Sequence, residues 1–157
     1  METNARQSIS VIFIDRMTPV GPLRRFWRVA FWLVPPPRHV AVGQGGTVLN
    51  PVTEGNELRE YGPYVRAMRK RGCVVAVVPC ERAVGIREFW SCSQPPVSWR
   101  FPLQAIGVDN SSGCSQIVGR VLRLSGVPVP WWHARTPRRL KRWLEHNVHG
   151  ASWHGTD

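Results

Sequence analysis

One cysteine in this chain stands where a thiol can react. In "NSSGCSQIVGRVLRLSG" (110–126), a run of small polar residues leads to Cys114, and apolar residues then recur at helical spacing. The first turn of a helix has unpaired N–H groups and a positive dipole end, which together stabilise a thiolate. Ser111, Ser112 and Gly113 leave the sulfur approachable. Such a nucleophile needs a base, normally a histidine held by a third polar group. Five histidines are present, and only His39 opens an expected strand, where a rigid frame aims its ring. His133, His146, His149 and His154 fall in a linker, at a helix end or in the tail. Asn50 lies on the expected return strand of the hairpin that His39 begins, about level with it if the turn falls at Gln44 to Gly46. Its carboxamide would fix the imidazole tautomer and leave the other ring nitrogen for Cys114. The candidate catalytic set is Cys114, His39 and Asn50, with the Ser115 or Cys114 N–H as oxyanion donor.

The elements that position these residues follow from local pattern. "SISVIFID" (8–15) reads as a strand and "FWRVAFWLV" (26–34) as either a strand or a short helix, ended by the prolines at 35–37. "RHVAVGQGGTVLNPV" (38–52) is a hairpin around Gly43, Gly45 and Gly46. Within "ELREYGPYVRAMRKRG" (57–72) a helix is expected after Pro63, with Tyr64, Val65 and Met68 as its apolar face and Gly72 as its stop. "CVVAVVPC" (73–80) is a continuous apolar strand, central in a sheet. "REFWSCS" is a short helix candidate and "PPVSWRFP" a loop or edge strand. Ile117, Val118, Val121 and Leu122 form the buried stripe of the Cys114 helix, which Gly126 ends. "TPRRLKRWLEHN" (136–147) is a helix with Thr136 as N-cap, Pro137 at the first position and Leu140, Trp143 and Leu144 buried. Trp131 and Trp132 are expected as hydrophobic lids over the sheet rather than as a base-stacking platform.

Composition narrows the class. The chain has 157 residues, 43% hydrophobic and 20% charged, which suits one globular domain over 1–150 followed by an irregular tail at 151–157. A net charge of +11, carried by arginine in all but Lys70 and Lys141, favours anionic partners, including non-specific nucleic acid contact. The four cysteines form no CxxC pair, so neither a disulfide framework nor a metal site is expected, and no cofactor is implied. Cys73 and Cys80 read as core thiols, and Cys92 as a second reactive candidate that lacks a following helix. No run is long and apolar enough to span a bilayer, and the N-terminus lacks a secretory pattern. A cytoplasmic location, or incorporation in a virion, is the expectation.

"HVAVGQGGTVLNPV" followed by "NSSGCSQIVGRVLRLSG" resembles the permuted papain-like superfamily, which includes the lecithin:retinol acyltransferase-like proteins and the NlpC-type peptidases. In that group a histidine opens one strand of a hairpin, a polar residue lies on the return strand, and the cysteine comes later at a helix start; His39, Asn50 and Cys114 match those places. Gly113 stands where the family often has asparagine. Val40 stands where the acyltransferase-like members commonly have an aromatic residue, which makes lipid substrates less favoured. The resemblance implies an α+β fold, with an antiparallel sheet packed against a nucleophile-bearing helix and a C-terminal helix. It also implies a cysteine hydrolase, either a peptidase or amidase or an acyl transferase, acting on a peptide or acyl substrate such as cell-wall peptides. The closing "TPRRLKRWLEHN" resembles the end of small tailed-bacteriophage proteins of the same layout. The alternative expectation is therefore a virion structural component of head, neck or tail, with virion protein partners and no essential catalysis.

Overall fold

A computed structural model of the protein describes residues 7–16, 25, 28–29, 35–52, 56–92 and 113–155. These form a mixed α+β structure built on a six-stranded antiparallel sheet. In chain order the elements are β1 (Ser8–Ile14), β2 (His39–Gln44), β3 (Thr47–Asn50), β4 (Glu57–Glu60), helix α1 (Tyr61–Arg69), β5 (Cys73–Pro79), α2 (Ile86–Cys92), α3 (Cys114–Leu124), a 3₁₀ turn (His133–Arg135), α4 (Pro137–Asn147) and β6 (Ser152–Gly155). The strands lie side by side as β4-β3-β2-β1-β5-β6.

Alternation along the strands divides the apolar residues between two faces. Ile9, Val11, Phe13, Val40, Val42, Leu49, Ala76 and Val78 join the large core under α2, α3 and α4. Ile12, Ile14, Ala41, Val48, Cys73 and Val75 meet α1, whose Tyr64, Val65 and Met68 cover them. Both faces of the central strands are therefore buried, which explains the unbroken apolar run of β5. α3 buries Ile117, Val118, Val121 and Leu122 fully, and α4 buries Leu140 and Leu144. Truncating any one of these leucines to alanine costs about 2–5 kcal/mol. Gly119 lets α3 approach the 3₁₀ turn, because a Cβ there would lie 2.7 Å from that of Ala134. Thr136 Oγ1 caps α4 by accepting from Arg139 N–H at 3.2 Å.

Several expectations need correction. The β2–β3 loop is the two-residue turn Gly45-Gly46, with φ of +59° and +82°, and its register pairs Val42 with Leu49 and Gln44 with Thr47. Extending that register puts Asn50 across from Ala41, so Asn50 is diagonal to His39 and not level with it; both still face the same side. Residues 57–60, which the sequence pattern assigns to no element, are a strand, paired with β3 from Thr47↔Glu60 to Asn50↔Glu57. α1 starts at Tyr61, two residues before Pro63, which falls in the first turn where a missing N–H is harmless. The tail is not irregular: residues 152–155 pair with β5 as β6, and Trp153 stacks on Phe13 with ring centroids 6.1 Å apart. Trp131 and Trp132 are not lids over the sheet, being about half exposed. Of "FWRVAFWLV" only Arg28 and Val29 are described, both helical and exposed; "PPVSWRFP" and residues 110–112 fall outside the described residues. Among the described residues no helix is long and apolar enough to cross a membrane.

Candidate functional site

The first residues of β2 bring the two faces of the sheet together. His39 is buried, 5% exposed, and pairs across the sheet with Ile14, so its ring lies on the α1 side. There His39 Nε2 and Asn50 Oδ1 are 2.8 Å apart. Tyr64, on the first turns of α1, donates its hydroxyl to the same Oδ1 at 2.9 Å. On its other side the Asn50 amide nitrogen donates to Glu57 Oε2 at 3.4 Å, and that carboxylate is paired with Arg59 at 2.9 Å.

This arrangement decides the tautomer. A carboxylate only accepts hydrogen bonds, so the NH₂ group of Asn50 faces Glu57 and its carbonyl oxygen faces His39 and Tyr64. A carbonyl oxygen cannot donate, so His39 donates through Nε2–H. Nδ1 is left as the basic nitrogen of the ring. Burial pushes His39 below its ordinary value; the hydrogen bond it donates to Asn50 opposes this, and the Arg71 guanidinium adds to it. The ring is therefore neutral at pH 7.

Cys114 enters from the opposite face, at the first position of α3 after the N-cap Gly113. The β2–β3 ladder ends at the Val42–Leu49 pair, and the Val40 N–H beyond it reaches the Cys114 sulfur. The thiol thus reaches the peptide unit that joins His39 and Val40 from the face opposite the His39 ring. Burial pushes the Cys114 thiol up to about 11, while the N–H groups of Val40, Ser115 and Cys114 itself pull it down. The resting pair is a neutral thiol and a neutral imidazole. In α3 the first main-chain bonds run from Gln116 and Ile117 back to Gly113, leaving the Cys114 and Ser115 N–H groups as first-turn donors around the sulfur.

The structure therefore places His39 and Asn50 in direct contact and sets Cys114 on the opposite face of the sheet, bonded to the Val40 N–H rather than to either side chain. Sequence reasoning missed Tyr64 and Glu57. Tyr64 is part of the apolar stripe of α1, and its hydroxyl signals a polar partner only once burial is known. Burial raises the Tyr64 hydroxyl well above its ordinary value, so it stays a donor. The other thiols lack such surroundings. Cys73 is buried in the α1-side core and pushed up to about 11, again by burial. Cys92 is buried at the end of α2, and Cys80 takes a hydrogen bond from Gln44 Nε2 at 3.6 Å. Among the described residues no group of histidine, cysteine and carboxylate side chains could hold a metal ion. Compared with known protein families, curated proteins and solved structures, the chain matches none.

Proposed function

We propose that the chain is a cysteine hydrolase of permuted papain-like fold, acting on amide or peptide bonds, with cell-wall peptides as the substrate class. The observation that carries this reading is the 2.8 Å contact between His39 Nε2 and Asn50 Oδ1, with the amide held in one orientation from its other end by Glu57. A carboxamide that orients an imidazole, and a cysteine at a helix start, are two of the parts that nucleophilic thiol catalysis uses.

The chemistry then runs from neutral groups. As the Cys114 sulfur attacks the carbonyl carbon, its proton has to reach His39 Nδ1 through a bridging water, because ring and thiol approach the His39–Val40 peptide from opposite faces of the sheet, and Asn50 steadies the imidazolium through Nε2–H. The Cys114 and Ser115 N–H groups receive the charge that develops on the carbonyl oxygen. The C–N bond breaks as Nδ1 returns the proton to the departing amine, leaving a thioester. Water, deprotonated by Nδ1, attacks that thioester; the C–S bond breaks and the proton goes back to sulfur.

A second reading, a virion structural subunit of the same fold without chemistry, draws support from the thiol raised to about 11 and from the basic surface. One experiment separates the two. The folded protein is incubated with a panel of amide, peptide and ester substrates, including cell-wall stem peptides, beside its Cys114→Ala variant. Turnover abolished by the substitution supports the hydrolase. Equal rates for both proteins on every substrate, with Cys114 alkylated no faster than Cys80, leave the structural reading.

A further inference from the structure

Outside the His39 network, the turn between α3 and α4 carries an unusual surface. Trp131 and Trp132 are 54% and 50% exposed, where large rings are normally withdrawn from water. Their rings meet edge to face, with centroids 6.0 Å apart and an interplanar angle of 84°. His133 follows Trp132 at 6.0 Å, and Trp143 of α4 follows His133 at 6.5 Å. The four rings form one continuous row. The Arg135 guanidinium lies 4.4 Å over the Trp131 ring. Arg138, Arg139 and Arg142 are exposed on the adjoining helix, whose only carboxylate, Glu145, is 3.8 Å from Lys141.

We propose that this aromatic row and its arginines bind single-stranded nucleic acid, with bases stacking on Trp131 and Trp132 and phosphates held by Arg138, Arg139 and Arg142. Exposed indole rings offer faces that any base can stack on, and guanidinium groups fork onto phosphate oxygens. The net charge of +11 gives the same anionic partner a long-range attraction. A duplex fits less well, since its bases are already stacked on one another. An anionic bilayer also fits less well. The two tryptophans pack edge to face rather than protruding as a wedge, and immersing Trp131 would carry the Arg135 cation into the acyl region with it. This inference is independent of the thiol chemistry and is measured without it.

The test is a titration of the full chain, followed by tryptophan fluorescence, with a deoxythymidine oligonucleotide of about ten nucleotides, within the site sizes usual for stacking platforms. The same titration is run with a duplex of equal length and with vesicles of mixed phosphatidylcholine and phosphatidylglycerol. Expected are quenching by the single strand, affinity reduced about tenfold by Trp131→Ala or Trp132→Ala, and recovery with Trp131→Phe. Arg138→Gln with Arg139→Gln should flatten the salt dependence by about 0.7 in slope for each phosphate contact removed. Both tryptophans are exposed, so an unchanged unfolding midpoint is expected and checks that the variants are folded. Duplex affinity equal to that of the single strand, affinity unchanged by both alanine variants, or vesicle binding at concentrations where the oligonucleotide gives no signal would each overturn the proposal.

Discussion

The two ends of β2 carry the same side-chain types with opposite outcomes. At its start, the carboxamide of Asn50 meets the ring of His39, and Cys114 lies at the next peptide unit. At its finish, the carboxamide of Gln44 accepts from Val84 N–H and donates to Cys80 Sγ. Each end thus has an amide and a thiol nearby, but only at the finish are the two bonded to each other. At the finish both ends of the Gln44 amide are bound to neighbours that do not titrate near neutrality, so the contact pins the segment after β5 and does nothing more. At the start the amide holds a titratable ring and sets which nitrogen of that ring is basic, while the thiol bonds the Val40 N–H from the opposite face of the sheet. A thiol and a carboxamide become candidate chemistry only where the carboxamide also orients an imidazole.

The largest expected contrast is in turnover. Cys114→Ala should lower hydrolysis by on the order of 10⁴-fold or more, whereas Cys80→Ala should leave it unchanged, as measured on the most active substrate of the panel. Removing the base comes next: His39→Gln should cost about 10²–10⁴-fold in kcat, while Gln44→Ala should leave kcat alone and lower stability by about 1–3 kcal/mol in urea unfolding, because the Val84 N–H loses its acceptor.

Replacing Asn50 sharpens the comparison through pH. Asn50→Asp places a carboxylate beside Nε2–H, favours the imidazolium, and should move the acid limb of the kcat/KM profile upward. In the parent protein His39 is held below 6.5, so that limb should lie below 6.5, and thiolate-driven alkylation of Cys114 should climb only toward pH 11. An acid limb at or above 6.5 would break the assignment of His39 as the base.

The same lowering of His39 has a smaller consequence for stability. The folded state resists protonation of the ring, so its contribution is complete above 6.5 and is lost as pH falls from 6.5 through the lowered value. His39→Gln should remove that part of the pH dependence of the unfolding midpoint. The smallest effect expected is that of Tyr64→Phe. It deletes one of two donors to Asn50 Oδ1, costs about 1 kcal/mol of stability, and leaves the acid limb near its parent position.

Much of this was legible from residue order, because it depends on local chemistry. The glycines around Gln44 to Gly46 announced a hairpin, and the stripe Ile117, Val118, Val121, Leu122 announced the buried side of a helix, so the frame that brings Asn50 near His39 and starts α3 at Cys114 could be read directly. Thr136 and Pro137 likewise announced α4. What the tertiary structure alone decided are matters of register and neighbourhood. The one-residue placement of the turn made Asn50 diagonal to His39, pairing with β3 turned "ELRE" into a strand, and pairing with β5 drew residues 152–155 into the sheet. Sequence spacing also could not show that the hydroxyl of Tyr64 and the carboxylate of Glu57 close on the two ends of one amide. Hydrogen-bond partners 7 and 14 positions away in the chain are set by where strands and helices pack, and that depends on the summed burial of both faces of the sheet rather than on any local pattern.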